Sequence, residues 1–80
     1  MGPSAIPRPL TSFSAGAIVR LNFFSLSPVE EQRLRDLGIR EGNELHVLKN
    51  EESLVLRVEA SRIVLRKEVA MAVFATLESP

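Results

Sequence analysis

The stretch Ser27 to Leu48, SPVEEQRLRDLGIREGNELHVL, constrains this chain more than any other, because it fixes a helix start, a helix stop, a tight turn and a strand in close succession. Ser27, Pro28 and Glu30 read as a capping box. The Ser27 hydroxyl accepts from an amide of the first turn, Glu30 reaches back, and Pro28 stands where a helix needs no amide. Wound at the helical period, Leu26, Val29, Leu34 and Leu37 fall within one arc, while Glu30 with Arg33 and Glu31 with Arg35 pair on the wet side. Gly38 supplies the left-handed residue that stops the helix after Leu37, and Ile39 stands where a Schellman motif places its apolar contact back to Leu34. Arg40-Glu41-Gly42-Asn43 then suits a type II turn with Gly42 at the position of positive φ, and Glu44 to Lys49 alternates as a strand.

Around this unit the pattern has period two. Met1 to Pro9, with Pro3, Pro7 and Pro9, reads as a flexible lead-in, leaving residues 10–80 as the domain. Ala17 to Phe23 puts Ala17, Val19, Leu21 and Phe23 on one face and Arg20 and Asn22 on the other. Phe23 and Phe24, as neighbours, point to opposite faces, so one enters the core and the other is covered by the helix or left as an apolar contact. Asn50 to Ser53 connects the strand at Glu44 to a hairpin partner, Leu54 to Glu59; a break at Ala60-Ser61 precedes Arg62 to Leu65. Arg66 to Ala70 has the length of a single helical turn, Ala72 to Leu77 forms a last strand, and the final three residues fray. About five short strands with one short α-helix inserted after the first predict an all-β fold, a small barrel whose closure removes exposed sheet edges.

Composition bounds what such a barrel can do. Eighty residues hold one core and one task, and with 45% apolar residues but no Trp, Tyr or Cys that core is aliphatic. Lacking cysteine, the chain forms no disulfide and no thiolate metal site, which fits a reducing compartment and points to the cytoplasm. A formal net charge of zero gives no long-range pull on nucleic acid or anionic lipid. Ala15 to Leu26, the longest apolar-looking run, is broken by Arg20 and Asn22 and is too short to insert in a bilayer. The start lacks an export pattern, and Ile6 occupies the position where myristoylation wants Ser or Thr. There is no Gly-x-Ser-x-Gly elbow and no phosphate-binding glycine loop, so the chain does not read as an enzyme.

The remaining candidates are surface groups. His46, the single histidine, faces opposite Leu45 and Val47. With only Glu44, Glu51 and Glu52 nearby, it reads as a surface histidine offering at most a weak divalent-cation contact, and no cofactor site is expected. Arg57, Arg62, Arg66 and Lys67 read as a solvated charged face, since Glu59 and Glu68 interleave with them and stacking aromatics are absent. The same lack of aromatics removes the groove that binds proline-rich peptides. Leu37, Gly38 and Gly42 serve the backbone, whereas Arg35, Arg40 and Glu41 stand on a loop held between helix and strand and are the candidate interface, joined by Phe24. Self-association through a strand edge or Phe24 is a further expectation.

The order of elements, with R-L-x-x-L-G-I-x-x-G at Arg33 to Gly42 and I-V-L-R-K-E-x-A at Ile63 to Ala70, resembles the FeoA family, ferrous iron transport protein A, over roughly Leu10 to Glu78. The same module recurs at the C-terminus of metal-responsive repressors. The resemblance implies an SH3-like β-barrel and a cytosolic accessory protein that binds the cytosolic GTP-binding domain of a membrane ferrous iron transporter. Its alternative implication is a metal-sensing regulatory domain in which Glu41, Glu44 or Glu51 completes a metal site. The chain carries Glu41 where the family usually has Pro, and its Asn50–Ser53 connection is shorter than the usual Pro- and Gly-bearing loop, so contacts carried by that loop are reduced or moved.

Overall fold

The computed structural model describes residues 6–78. Among them six antiparallel strands form one sheet: β1 (Arg8–Pro9), β2 (Ile18–Phe24), β3 (Glu44–Asn50), β4 (Ser53–Val58), β5 (Ser61–Arg66) and β6 (Val73–Leu77), in the order β1-β6-β2-β3-β4-β5. A 3-10 turn at Leu10–Ser12 follows β1, helix α1 (Pro28–Asp36) joins β2 to β3, and the short α2 (Lys67–Ala70) joins β5 to β6. The fold is a small barrel, as the alternation implied, and an SH3-like one, as the resemblance implied.

Two expectations about the ends need correction. Arg8 and Pro9 pair with Ala75 and Phe74, so a strand begins inside the supposed lead-in and there are six strands rather than five. Proline is tolerated there because β1 is an edge strand. Glu78, expected to fray, donates its amide to the Ile18 carbonyl at 2.8 Å. Residues 1–5 and 79–80, included in the expected lead-in and frayed end, lie outside the described part.

The helix forms for the reasons its sequence states. The Ser27 hydroxyl accepts from the Glu30 amide at 3.3 Å, Gly38 has φ +94°, and the Schellman pair closes with Ile39 N–H on the Leu34 carbonyl and Gly38 N–H on the Arg35 carbonyl, both at 2.9 Å. Its apolar arc is narrower than the helical period implied. Leu34 is buried, but Val29 is 66% and Leu37 51% exposed.

One core runs through the molecule: Val19, Leu21, Leu45, Val47, Leu54, Leu56 and Val73 enter it from the strands, and Leu10, Phe13, Ile39 and Ala70 from the segments between them. Register in β2 breaks once: Leu21 faces Ala75 and Phe23 faces Phe74, leaving Asn22 as the extra residue of a bulge. The extra residue reverses the alternation. Phe23 therefore turns outward, stacked on Phe74 at 4.8 Å, and Phe24 enters the core at 9% exposure.

Asn50, at the end of β3, ties the barrel together. Its Nδ2 donates to the carbonyls of Thr11 at 3.0 Å and Phe13 at 2.6 Å, and its Oδ1 accepts from Lys67 Nζ at 2.7 Å. One side chain thus joins the segment after β1 to the helix after β5, drawing together the two ends of the strand order.

Candidate interaction surface

The α1–β3 corner is assembled by three elements. The type II turn Arg40–Asn43, with Gly42 at φ +87°, is pinned to β2 by Gly42 N–H on the Leu21 carbonyl at 2.8 Å and Leu21 N–H on the Asn43 carbonyl at 3.0 Å. Arg20, which sequence reasoning passed over, adds Nη1 to the Gly42 carbonyl at 2.7 Å while its Nε holds Glu78 at 2.6 Å. The corner cannot swing without breaking β2 pairing.

On this support Arg35, from the last turn of α1, meets Glu41 as a two-pronged pair, Nη1 to Oε1 at 2.7 Å and Nη2 to Oε2 at 2.9 Å. Glu31 flanks it at 3.6 Å, and the guanidinium lies 5.4 Å from the centroid of the Phe24 ring. The structure therefore brings three of the four expected interface residues into one cluster. Phe24 is its covered floor, not a free contact; the exposed ring of the pair is Phe23, at 45%. Hydrogen bonding from Arg35, and then from its own backbone, holds the Glu41 carboxyl below its ordinary value, and the same bond raises Arg35. Both groups keep their charge through the neutral range.

Arg40 stands apart from this pair, exposed and without an ion pair among the described residues. It borders an open depression of about 240 Å³ lined also by Leu37, Gly38, Asn43, Val58 and Glu59. Exposed Leu37 beside a free arginine and a fixed Arg35–Glu41 fork makes an apolar point with a charged rim, the anatomy of a protein contact.

The other candidates are dispersed. His46 is partly exposed, with Nδ1 3.4 Å from Arg57 Nη2 and Nε2 3.9 Å from Glu44. Glu41 is engaged by Arg35, and Glu44 and Glu51 bracket β3, roughly 20 Å apart at about 3.3 Å per residue. Among the described residues no three or more His, Cys, Asp or Glu side chains gather as a metal site, and no helix is long and apolar enough to cross a membrane. Of the four basic residues of the later strands, Arg57, Arg62 and Arg66 do share the outer face of β4–β5, but Lys67 turns away to Asn50.

Comparison with known proteins fixes the relationship. The family model described as the FeoA domain matches residues 8–77. The chain belongs to the FeoA domain family. The match begins at Arg8, the first residue of β1, in agreement with the sheet. This membership associates the chain with ferrous iron transport. Among solved structures, an iron uptake regulatory protein (FeoA) superposes with TM-score 0.83 at 19% identity, covering 91% of this chain and 99% of that one. The FeoA protein of Chlorobium tepidum gives 0.80 at 20% identity, over 89% and 70%. IdeR of T. acidophilum gives 0.85 at 18% identity, over 98% of this chain but 37% of that one, so this chain spans well under half of that protein's length. At these identities the superpositions speak to fold. No curated protein sequence matches the chain.

Proposed function

We propose that this protein is a small, non-enzymatic accessory protein of ferrous iron transport that works in the cytoplasm by binding the cytosolic GTP-binding part of the membrane iron transporter through its α1–β3 corner. Family membership over residues 8–77 carries the reading. The corner supports it, because Arg35 and Glu41 are locked before any partner arrives and so give up little side-chain freedom on binding. Leu37 and Arg40 supply the exposed contact beside them. Co-purification of the full chain with the transporter's cytosolic domain is the test. Retention of wild type and loss of the Arg40→Glu variant supports docking at this corner, and no retention of either counts against the proposal.

A second reading is a metal-sensing regulatory domain of the kind found in metal-dependent repressors. It draws on the superposition with a manganese-dependent transcriptional repressor, TM-score 0.85 at 19% identity over 95% of this chain and 44% of that one. The engagement of both Glu41 oxygens by Arg35 weighs for the first reading. Calorimetric titration with ferrous or manganous ion separates them: saturable binding in the micromolar range favours the sensor.

A further inference from the structure

A second surface lies on the outer face of β3, β4 and β5, away from the corner. Register places Lys49 opposite Val55, Arg57 opposite Arg62 and Ser53 opposite Arg66. Val55 in turn faces Val64 across β4–β5. In β5 the core residues Ile63 and Leu65 alternate with exposed Arg62, Val64 and Arg66, and Val64 is 62% exposed. Leu48, the extra residue of a bulge between Val47 and Lys49, joins Val55 and Val64 in a shallow depression of about 390 Å³, bordered by Lys49 and Arg62.

The charge on this face is unbalanced although the chain as a whole is neutral. Lys49, Arg57, Arg62 and Arg66 make no ion pair among the described residues, whereas Arg20 and Arg35 elsewhere are held by carboxylates. Two carboxylates, Glu44 and Glu59, border Arg57 at one end of the face, whereas Glu51 and Glu52 lie in the β3–β4 turn and Glu68 on α2, so the uncompensated cations are those of β5, Arg62 and Arg66. Among the described residues β5 pairs with β4 alone, so its other edge presents free main-chain groups.

We infer that this face is a second binding surface, one that receives an acidic, extended polypeptide segment of a partner protein along β5. An extended chain repeats its side-chain direction every two residues, so a segment reading acid-x-apolar-x-acid matches Arg62, Val64 and Arg66 in order, while its main chain can add to the β5 edge. Nucleic acid fits less well, because the face carries no aromatic platform for bases. A lipid surface fits less well because it has no main chain to add to the β5 edge.

The test uses the full chain, isotope-labelled, titrated with a synthetic peptide of repeated Glu-Thr-Val-Thr-Glu and followed by amide shifts. Shifts centred on β4 and β5 are expected, with affinity falling roughly tenfold or more as added salt shortens the screening length from about 10 Å to about 3 Å. The double variant Arg62→Glu with Arg66→Glu, at exposed positions and with an unchanged thermal midpoint, loses binding, while Arg40→Glu keeps it. This surface stands or falls separately from the corner, since Arg40→Glu is the variant that probes transporter docking. Shifts centred elsewhere, undiminished binding by the double variant, or an inert peptide overturn the inference. Tighter binding of oligothymidine or phosphatidylserine vesicles also overturns it, assigning the face to nucleic acid or membrane instead.

Discussion

Replacing Asn50 by Ala removes three hydrogen bonds at once, to Thr11 O, Phe13 O and Lys67 Nζ. Each neutral bond contributes about 0.5–1.5 kcal/mol and one to a charged group about 1.5–3. The site is only part-buried, so water recovers some of the loss and about 2–3 kcal/mol is expected. A domain of this length has of the order of 4–12 kcal/mol in total at roughly 0.05–0.15 per residue. The substitution therefore removes a large share without touching the core. At roughly 4–8 °C per kcal/mol for a chain of this size, the thermal midpoint drops by about 10–20 °C. Urea and thermal unfolding followed by far-ultraviolet circular dichroism measures it, and hydrogen exchange locates it, with the amides of Arg8 and of the Leu10–Phe13 segment opening first. Asn50→Asp is expected to fail as well, because a carboxylate accepts from Lys67 but cannot donate to the two carbonyls. A loss below about 0.5 kcal/mol, the low end for a single hydrogen bond, would refute the view that this side chain closes the barrel.

Three further outcomes follow from the same geometry. Leu56→Ala, at a fully buried centre of the core, costs about 2–5 kcal/mol in urea unfolding, against which Val29→Ala, largely exposed, is close to neutral. Glu59 is the one non-glycine residue with positive φ among those described. Glu59→Gly relieves about 1 kcal/mol of strain and is expected to raise the thermal midpoint, after the entropy of glycine takes back part of the gain. Glu41 and Glu78 have lowered native values through Arg35 and Arg20, so their contributions are complete above the unfolded glutamate range and disappear as pH falls through the lowered native values. Stability is then flat from neutral down to mildly acidic pH and falls below it, and Glu41→Gln makes that acid limb shallower in a pH series of unfolding midpoints.

Local backbone chemistry was legible because its causes are local. Ser27, Gly38 and Gly42 each dictate a cap or a turn whatever surrounds them, and each stands where its chemistry places it. Bulges are different, because the extra residue is defined only against a partner strand. Nothing in Leu21-Asn22-Phe23 announces that Ala75 and Phe74 will count it out, and so which of the two phenyls enters the core was open in the sequence. Pro9 hid β1 for a related reason: a two-residue edge strand has too little alternation to read. The candidate corner was legible as a rigid loop, but not its pairing, since Arg35 and Glu41 are six residues apart across a helix stop and meet only because β2 fixes the turn. The basic residues of β4 and β5 read as a solvated charged face because Glu59 stands between Arg57 and Arg62 in sequence; in space Glu59 stays beside Arg57 in the β4–β5 turn, and Arg62 and Arg66 alternate with Val64 on the exposed side of β5.

The most direct test of the account is a binding titration between the full-length protein and the purified cytosolic GTP-binding domain of a ferrous iron transporter from the same cell, run in parallel with Arg40→Glu and with the Arg62→Glu, Arg66→Glu double variant. Saturable binding that weakens at least roughly tenfold, about 1.4 kcal/mol, in Arg40→Glu and survives in the double variant is expected. Equal binding by wild type and Arg40→Glu, or none by the wild type, would contradict docking through the α1–β3 corner.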